Sequence, residues 1–310
     1  MEFSLGVTTS MPLKHSIKLL RIAEEKDFSR VFVGEDILSR EIFTYLSIFA
    51  NESRLPVASG ILSPYVRSLV LIASGSAGLQ LITNNKFTLG IGAGGITEVE
   101  TLTGEAPDKA SEVLRETAEV IRAIFRGERV SYEGRKACLR GYSLRIKSVK
   151  VPEIYFGVRG RELLALAGEV ADGVIFSAPR SYLKEALKIV RKSAETHGKR
   201  FDVIKKVLWN PVAFENSKRA RVIVATMLVS TPEYILKSTG LAEEAIKIRK
   251  AMKRSSYDKA SKLVSRKALD EYCITGNIAD IKDDFEYLAK EGFQEFVISP
   301  ITGDMNLSGW

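Results

Sequence analysis

Leu55-Pro56-Val57-Ala58-Ser59-Gly60-Ile61, then Tyr65 to Leu81, then Phe87-Thr88-Leu89-Gly90-Ile91, reads as strand, helix, strand. Both strand stretches are short and apolar without alternation, as expected of strands buried on both faces of a parallel sheet. The helix begins just after Pro64, where a fixed φ and a missing N–H are tolerated.

The same unit recurs outward in both directions. Phe3-Ser4-Leu5-Gly6-Val7 precedes a helix over Leu13 to Lys26, and Val31-Phe32-Val33 precedes one over Ile42 to Phe49. After Phe87 to Ile91 the spacing predicts a helix from Asp108 to Arg126. Ile154-Tyr155-Phe156 pairs with a helix over Arg161 to Val170, and Gly173-Val174-Ile175-Phe176 with Ser181 to His197. Val203 to Phe214 precedes helical segments reaching Lys267, and a helix over Ile278 to Glu291 leads to the strand Glu295 to Ser299. Eight strands alternating with helices predict an α/β protein, a (β/α)8 TIM barrel; an open doubly wound sheet is the alternative. The chain reads as one domain, 1-310, with two insertions. Val130 to Tyr132 and Ala137 to Leu139, joined through Glu133-Gly134-Arg135, form a β-hairpin insertion at 129-140. The stretch 218-267, with Pro232, Gly240 and a basic run, is a helical insertion before the last strand.

Composition narrows the function. Of 310 residues, 45% are hydrophobic and 27% charged, which fits a soluble globular chain and excludes disorder and collagen. No stretch approaches about eighteen uninterrupted apolar residues, and the first ten residues lack a secretory pattern, so a cytoplasmic protein without a membrane partner is expected. Cys138 and Cys273 stand far apart with no metal-ligand spacing, so neither a disulfide framework nor a metal site is expected. The formal charge of +8 is spread along helical patterns such as Lys184, Lys188, Arg191 and Lys192 with acids between, which reads as a solvated surface and not a nucleic-acid interface.

In a barrel the site lies where the strands end at their C-terminal side. Those positions are Thr8-Thr9, Glu35-Asp36, Ser59 to Leu62, Gly92 to Thr97, Gly157 to Gly160, Ser177 to Arg180, Asn210 and 299–303. His15 and His197 lie in predicted helices away from them, which argues against a Ser/His/Asp or metal-histidine mechanism. Gly90-Ile91-Gly92-Ala93-Gly94-Gly95 is not a dinucleotide fingerprint, because the next predicted helix starts more than ten residues later. It is a tight turn or a backbone left bare for a flat ring. Gly157-Val158-Arg159-Gly160 closes a strand and opens a helix, so its amides and Arg159 could hold a phosphate. Glu35-Asp36 could transfer protons or cap the following helix.

Ser59-Gly60-Ile61-Leu62-Ser63-Pro64-Tyr65-Val66-Arg67, Leu89 to Gly94, Arg126-Gly127-Glu128 through Tyr132-Glu133-Gly134, Leu166 to Gly173, and Thr275-Gly276-Asn277 with Glu291-Gly292-Phe293 resemble the bacterial-luciferase-like superfamily. Pro64-Tyr65-Val66-Arg67 and Ala167 to Gly173 are most similar to its coenzyme F-420-dependent methylenetetrahydromethanopterin reductases. The resemblance implies a barrel holding a deazaflavin at its mouth, with FMN as the alternative cofactor. It also implies a homodimer and a non-proline cis peptide at Gly60-Ile61 facing the ring. Such reductases carry acids where this chain has Gly6 and Gly95, and many deazaflavin relatives carry Asp-His where it has Glu35-Asp36.

The expected function is therefore an oxidoreductase that moves a hydride between coenzyme F-420 and a small organic substrate such as a pterin-bound one-carbon unit. Asp36, then Glu35, are the candidate acids. The candidate cofactor residues are Ser59, Gly60, Ile61, Gly92, Ala93, Gly94, Gly157, Val158, Arg159, Gly160 and Ser177. The alternatives are an FMN-dependent monooxygenase and a non-catalytic cofactor-binding protein.

Overall fold

The computed structural model describes residues 1–146, 149–214, 218–254 and 257–299, apart from the side chains of Thr97, Phe214, Lys253, Arg254 and Tyr257. The tail 300–303, included above among the strand ends, lies outside the described residues.

Eight parallel strands close into a barrel, each hydrogen-bonded to its neighbours in sequence order and the last to the first. They are Glu2–Thr8, Val31–Gly34, Val57–Ser59, Thr88–Ile91, Glu153–Gly157, Gly173–Phe176, Lys205–Leu208 and Glu295–Ile298. The open doubly wound sheet is excluded by the pairing of Glu2 to Leu5 with Glu295 to Ile298. Phe32, Ala58, Tyr155, Ile175, Val207 and Val297 fill the barrel interior. A larger apolar layer lies between the strands and the helices outside. At the N-terminal end of the barrel, Glu295 is fully buried beside Arg30 at 3.1 Å and accepts a hydrogen bond from Ser4 Oγ at 2.5 Å.

The elements depart from expectation in four places. The helix expected from Tyr65 divides into a 3-10 turn, Pro64–Val66, and a helix Leu69–Ile82, because the Ser68 hydroxyl caps the Leu71 amide and restarts the helix. The strand expected over Val203 to Phe214 stops at Leu208 and resumes as Val212–Phe214, which pairs with Ile274–Gly276 outside the barrel. Pro211 in between has no N–H to continue a ladder. The hairpin strands run Val130–Glu133 and Cys138–Tyr142, two residues past the expected insertion. An additional helix, Ile96–Thr103, follows the Gly-rich turn directly. Its β-branched residues and exposed Ile96 and Leu102 give no amphipathic pattern; Val99 is the residue that anchors it.

The second insertion contains the helices Lys218–Ser230, Glu233–Thr239, Ala242–Arg254, Tyr257–Ser261 and Arg266–Tyr272, reaching five residues beyond the expected limit. They enclose an apolar core of their own that includes Val224, Leu228, Leu236, Ile248, Leu269 and Tyr272.

Candidate active site

The floor of the barrel mouth is built from two side chains that approach bare backbone. Trp209, directly after the seventh strand, turns its indole inward across Gly6, Gly34 and Gly60. A Cβ on residue 60 would stand 2.3 Å from Trp209 Cζ3, and one on residue 6 would stand 2.8 Å from Cζ2. The indole Nε1 donates to Ser299 Oγ at 2.8 Å, which fixes the ring plane. Ile61 follows the cis peptide bond Gly60-Ile61 and lies between the fourth and fifth strands. A Cβ on Gly157 would stand 2.4 Å from Ile61 Cγ2, and one on Gly92 3.0 Å from Ile61 Cγ1. At Gly60 the space a side chain would take is filled by Trp209, and at Gly157 by Ile61, which also closes on Gly92. Trp209 and Ile61 close the buried interior cluster and are themselves half-buried, leaving an apolar, partly aromatic surface at the mouth.

The carboxylates around that surface differ in how they are held. Glu35 faces Arg67 through two hydrogen bonds, 2.8 and 2.5 Å, and accepts the Ser63 amide at 3.2 Å. Its side chain is 2% exposed. This bidentate pair pins the segment after the third strand and uses both carboxylate oxygens. Asp36 accepts the Leu38 amide at 3.2 Å while its own amide donates to Thr9 Oγ1 at 2.8 Å. It closes the turn before the Ile42–Glu52 helix and stays half-exposed. Glu98, in the first turn of the unexpected Ile96–Thr103 helix, folds back over Gly95. Its Oε2 stands 2.0 Å from where a Cβ on residue 95 would be. Glu98 is half-buried and has no hydrogen-bonding or ionic partner among the described residues. The sequence reading missed Glu98 and Trp209. A helix start directly after Gly94-Gly95, had it been recognised, would have placed Glu98 at the mouth.

Several expected cofactor residues are committed to the protein itself. Ser59 Oγ donates to the Gly90 carbonyl and accepts the Gly90 amide, both at 2.8 Å, so it staples the third strand to the fourth. Ser63 Oγ donates to the Ala93 carbonyl at 2.8 Å and holds the turn containing Gly94, whose φ is +84°. Val158 is buried and Ser177 half-buried. Gly160 caps the Arg161–Val170 helix with open space around it, but the next amide, Arg161 N, already donates to Tyr234 Oη at 2.8 Å.

Arg159 leaves the fifth strand toward the helical insertion. Its Nη1 donates to Ser230 Oγ at 3.2 Å, Thr231 Oγ1 at 3.1 Å and the Met227 carbonyl at 3.4 Å. Thr231 in turn accepts from Tyr272, whose hydroxyl is pushed up to about 12 by burial. Burial pulls the Arg159 guanidinium below its ordinary value, and no carboxylate pairs with it among the described residues. It stays cationic, because arginine does not lose its proton in proteins. The C-terminus of the Lys218–Ser230 helix offers it partial negative charge and no counter-ion.

No group of three or more His, Cys, Asp or Glu suited to a metal occurs among the described residues. No helix among them is long and apolar enough to cross a membrane. A groove of about 710 Å³ lies elsewhere, on the outer face between the Ala110–Phe125 and Arg161–Val170 helices and the hairpin, where Glu116 takes the amides of residues 135, 136 and 137.

Comparison with known proteins agrees with this architecture. Residues 2–295 match the luciferase-like monooxygenase family, and the chain belongs to it. It is 26% identical to a 5,10-methylenetetrahydromethanopterin reductase of Archaeoglobus fulgidus over 99% of this chain and 96% of that protein. A solved coenzyme F420-dependent tetrahydromethanopterin reductase from Methanopyrus kandleri superposes with a TM-score of 0.83 at 23% identity, covering 98% of this chain and 94% of that one. An F420-dependent secondary alcohol dehydrogenase, solved with an F420-acetone adduct, superposes with a TM-score of 0.78 at 16% identity over 96% and 92%.

Proposed function

We propose that this luciferase-like protein is an oxidoreductase using coenzyme F-420 to reduce or oxidise a small organic substrate, a pterin-bound one-carbon unit being the leading candidate. The observation that carries the reading is the mouth itself: a half-buried floor of Trp209 and Ile61, with an uncommitted carboxylate, Glu98, folded over Gly95 in the turn after the fourth strand. A flat aromatic ligand fits such a floor, since an indole offers apolar area and a fixed π-face. Full-length similarity to methylenetetrahydromethanopterin reductases supports the deazaflavin over FMN.

The seated deazaflavin would supply the hydride chemistry. The protein's residues supply the rest. Trp209 and Ile61 cover one face and exclude water, which leaves the other face for substrate. Glu98, with Asp36 at the rim, holds or delivers the proton that must accompany reduction. Glu35 acts through Arg67 and the Ser63 amide as a positioning residue. Arg159, with Nη1 engaged by the insertion, brings a cation toward the strand-five exit, where a cofactor phosphate would lie beside Gly160.

We also infer a homodimer. The Leu69–Ile82 helix has no charged residue, and its Leu71, Leu81 and Ile82 are 61%, 55% and 45% exposed, an apolar face suited to a second copy. Leu71→Lys with Leu81→Lys is expected to give a monomer in sedimentation.

Anaerobic turnover tests the proposal. Reduced F-420 should be oxidised when methylenetetrahydromethanopterin is added, and Glu98→Gln should lower kcat by roughly 10²-fold or more. Turnover that instead requires FMN and oxygen would identify a monooxygenase, and cofactor binding without turnover on pterins or alcohols would leave a carrier or sensor.

A further inference from the structure

The charge of this chain is divided between its parts. The insertion as it folds, 218–272, has thirteen Lys and Arg against six Asp and Glu, a net +7. The remaining 255 residues have 33 basic against 32 acidic, a net +1, so the insertion accounts for nearly all of the +8. The even spread inferred from Lys184 to Lys192 holds for the barrel helices and fails for this segment.

The insertion sits at the mouth end. Its Met227, Ser230 and Thr231 hold Arg159 just after the fifth strand, and its Tyr234 holds the Arg161 amide that starts the next helix. The Ser181 amide and hydroxyl, following the sixth strand, reach Glu271 in the insertion's last helix. Five of its six acids are already engaged: Asp258 on Lys218 and Lys262, Glu233 on Lys237, Glu244 on the Ser265 amide, Asp270 on Arg266 and Glu271 on Ser181. Lys247, Lys250 and Lys259 are exposed and have no carboxylate partner among the described residues.

We infer that the insertion is an electrostatic collar that captures the phosphate- and carboxylate-bearing tail of the cofactor before the ring seats in the mouth. This rests on the proposed use of a deazaflavin and adds a second, tail-directed site to it. A concentrated positive field over a nearly neutral barrel raises the local concentration of an oligoanion and its association rate, by about tenfold to a thousandfold in comparable cases, and salt screens it. A ligand without the anionic tail gains nothing from that field. The preference is for extended oligoanions, because the charges lie on several helices and do not converge on one pocket.

Stopped-flow association of two ligands with the full chain tests this: F-420, and the corresponding deazaflavin riboside lacking phosphate and glutamyl groups. The expected result is an F-420 rate that falls about tenfold or more between low and high salt, and similarly in Lys247→Glu/Lys250→Glu/Lys259→Glu, with the riboside rate unchanged in both. Equal responses of the two ligands would overturn the collar while leaving deazaflavin use intact. Binding of neither would overturn both. The salt series on the unmodified chain gives the answer independently of whether the triple variant folds.

Discussion

Trp209 lies against the main chain of Gly60 so closely that a single added carbon at residue 60 would meet its Cζ3 at 2.3 Å. Residue 60 thus sets the position of the indole, and the indole sets the floor of the mouth. Gly60→Ala is expected to cost about 1 to 3 kcal/mol by overpacking. Combined with Trp209→Val, which removes the obstructing ring, it should cost less than the sum of the two single changes by more than about 0.5 kcal/mol. Denaturant melts of the four proteins measure this, and strict additivity would show that the contact does not govern the site.

The Glu35–Arg67 pair predicts a stability defect and not a purely catalytic one. Arg67→Ala would leave a carboxylate that is 2% exposed without its counter-ion, at a cost of about 3 to 5 kcal/mol. Arg67→Lys should recover only part of this, since an ammonium cannot reproduce the two parallel hydrogen bonds. Urea midpoints of the two variants provide the check; a loss below about 1 kcal/mol in Arg67→Ala would contradict the assigned role.

Asp36 and Glu98 should separate in their effects. Asp36 closes a turn, so Asp36→Asn should keep most of the Leu38 contact, with a melting temperature near that of the parent and a modest loss of turnover. Glu98 holds nothing in place, so Glu98→Gln should leave the melting temperature unchanged while kcat falls by roughly 10²-fold. The reverse ranking in kcat would make Asp36 the principal acid.

Acid stability depends in part on Glu169. Its hydrogen bonds from Arg115, 2.5 and 2.6 Å, hold its carboxyl below the ordinary value of 4.5, with His197 adding a smaller effect. A carboxylate with a lowered folded-state value stabilises fully above its unfolded value and loses that contribution as pH falls through the folded one. Arg115→Ala should therefore cost up to about 1 kcal/mol at neutral pH, given the solvent around the pair, and progressively less below pH 4.5. Melting curves of parent and variant that stay equally separated down to pH 3 would exclude this linkage.

The barrel was legible because strands such as Val31–Gly34, Val57–Ser59, Thr88–Ile91 and Gly173–Phe176 lie in short, largely apolar runs set between helical patterns, which requires no knowledge of the fold to recognise. The Ile96–Thr103 helix was not, because its β-branched residues and exposed Ile96 hide the helical period and Gly95 offers no capping side chain. That omission concealed Glu98. Trp209 was concealed differently: Val203 to Phe214 reads as a single long strand, so the strand end was sought near Phe214, whereas the strand stops at Leu208 and Trp209 follows the interior-facing Val207 by two residues. Glu35 and Arg67 are 32 residues apart, so their pairing arises from the alignment of the second and third strands and leaves no local signal. The basic insertion was countable from composition, but its meaning required knowing that it stands over the strand ends.

A crystal structure of the protein with coenzyme F-420 would show directly how the mouth is used. The deazaflavin ring is expected to rest on Trp209 and Ile61, its phosphate within reach of Arg159 and Gly160, and the Glu98 carboxylate within hydrogen-bonding distance of the ring or of the substrate space above it. A ring bound away from the mouth, or one that enters only by displacing Trp209 from the slot over Gly6 and Gly60, would contradict that expectation.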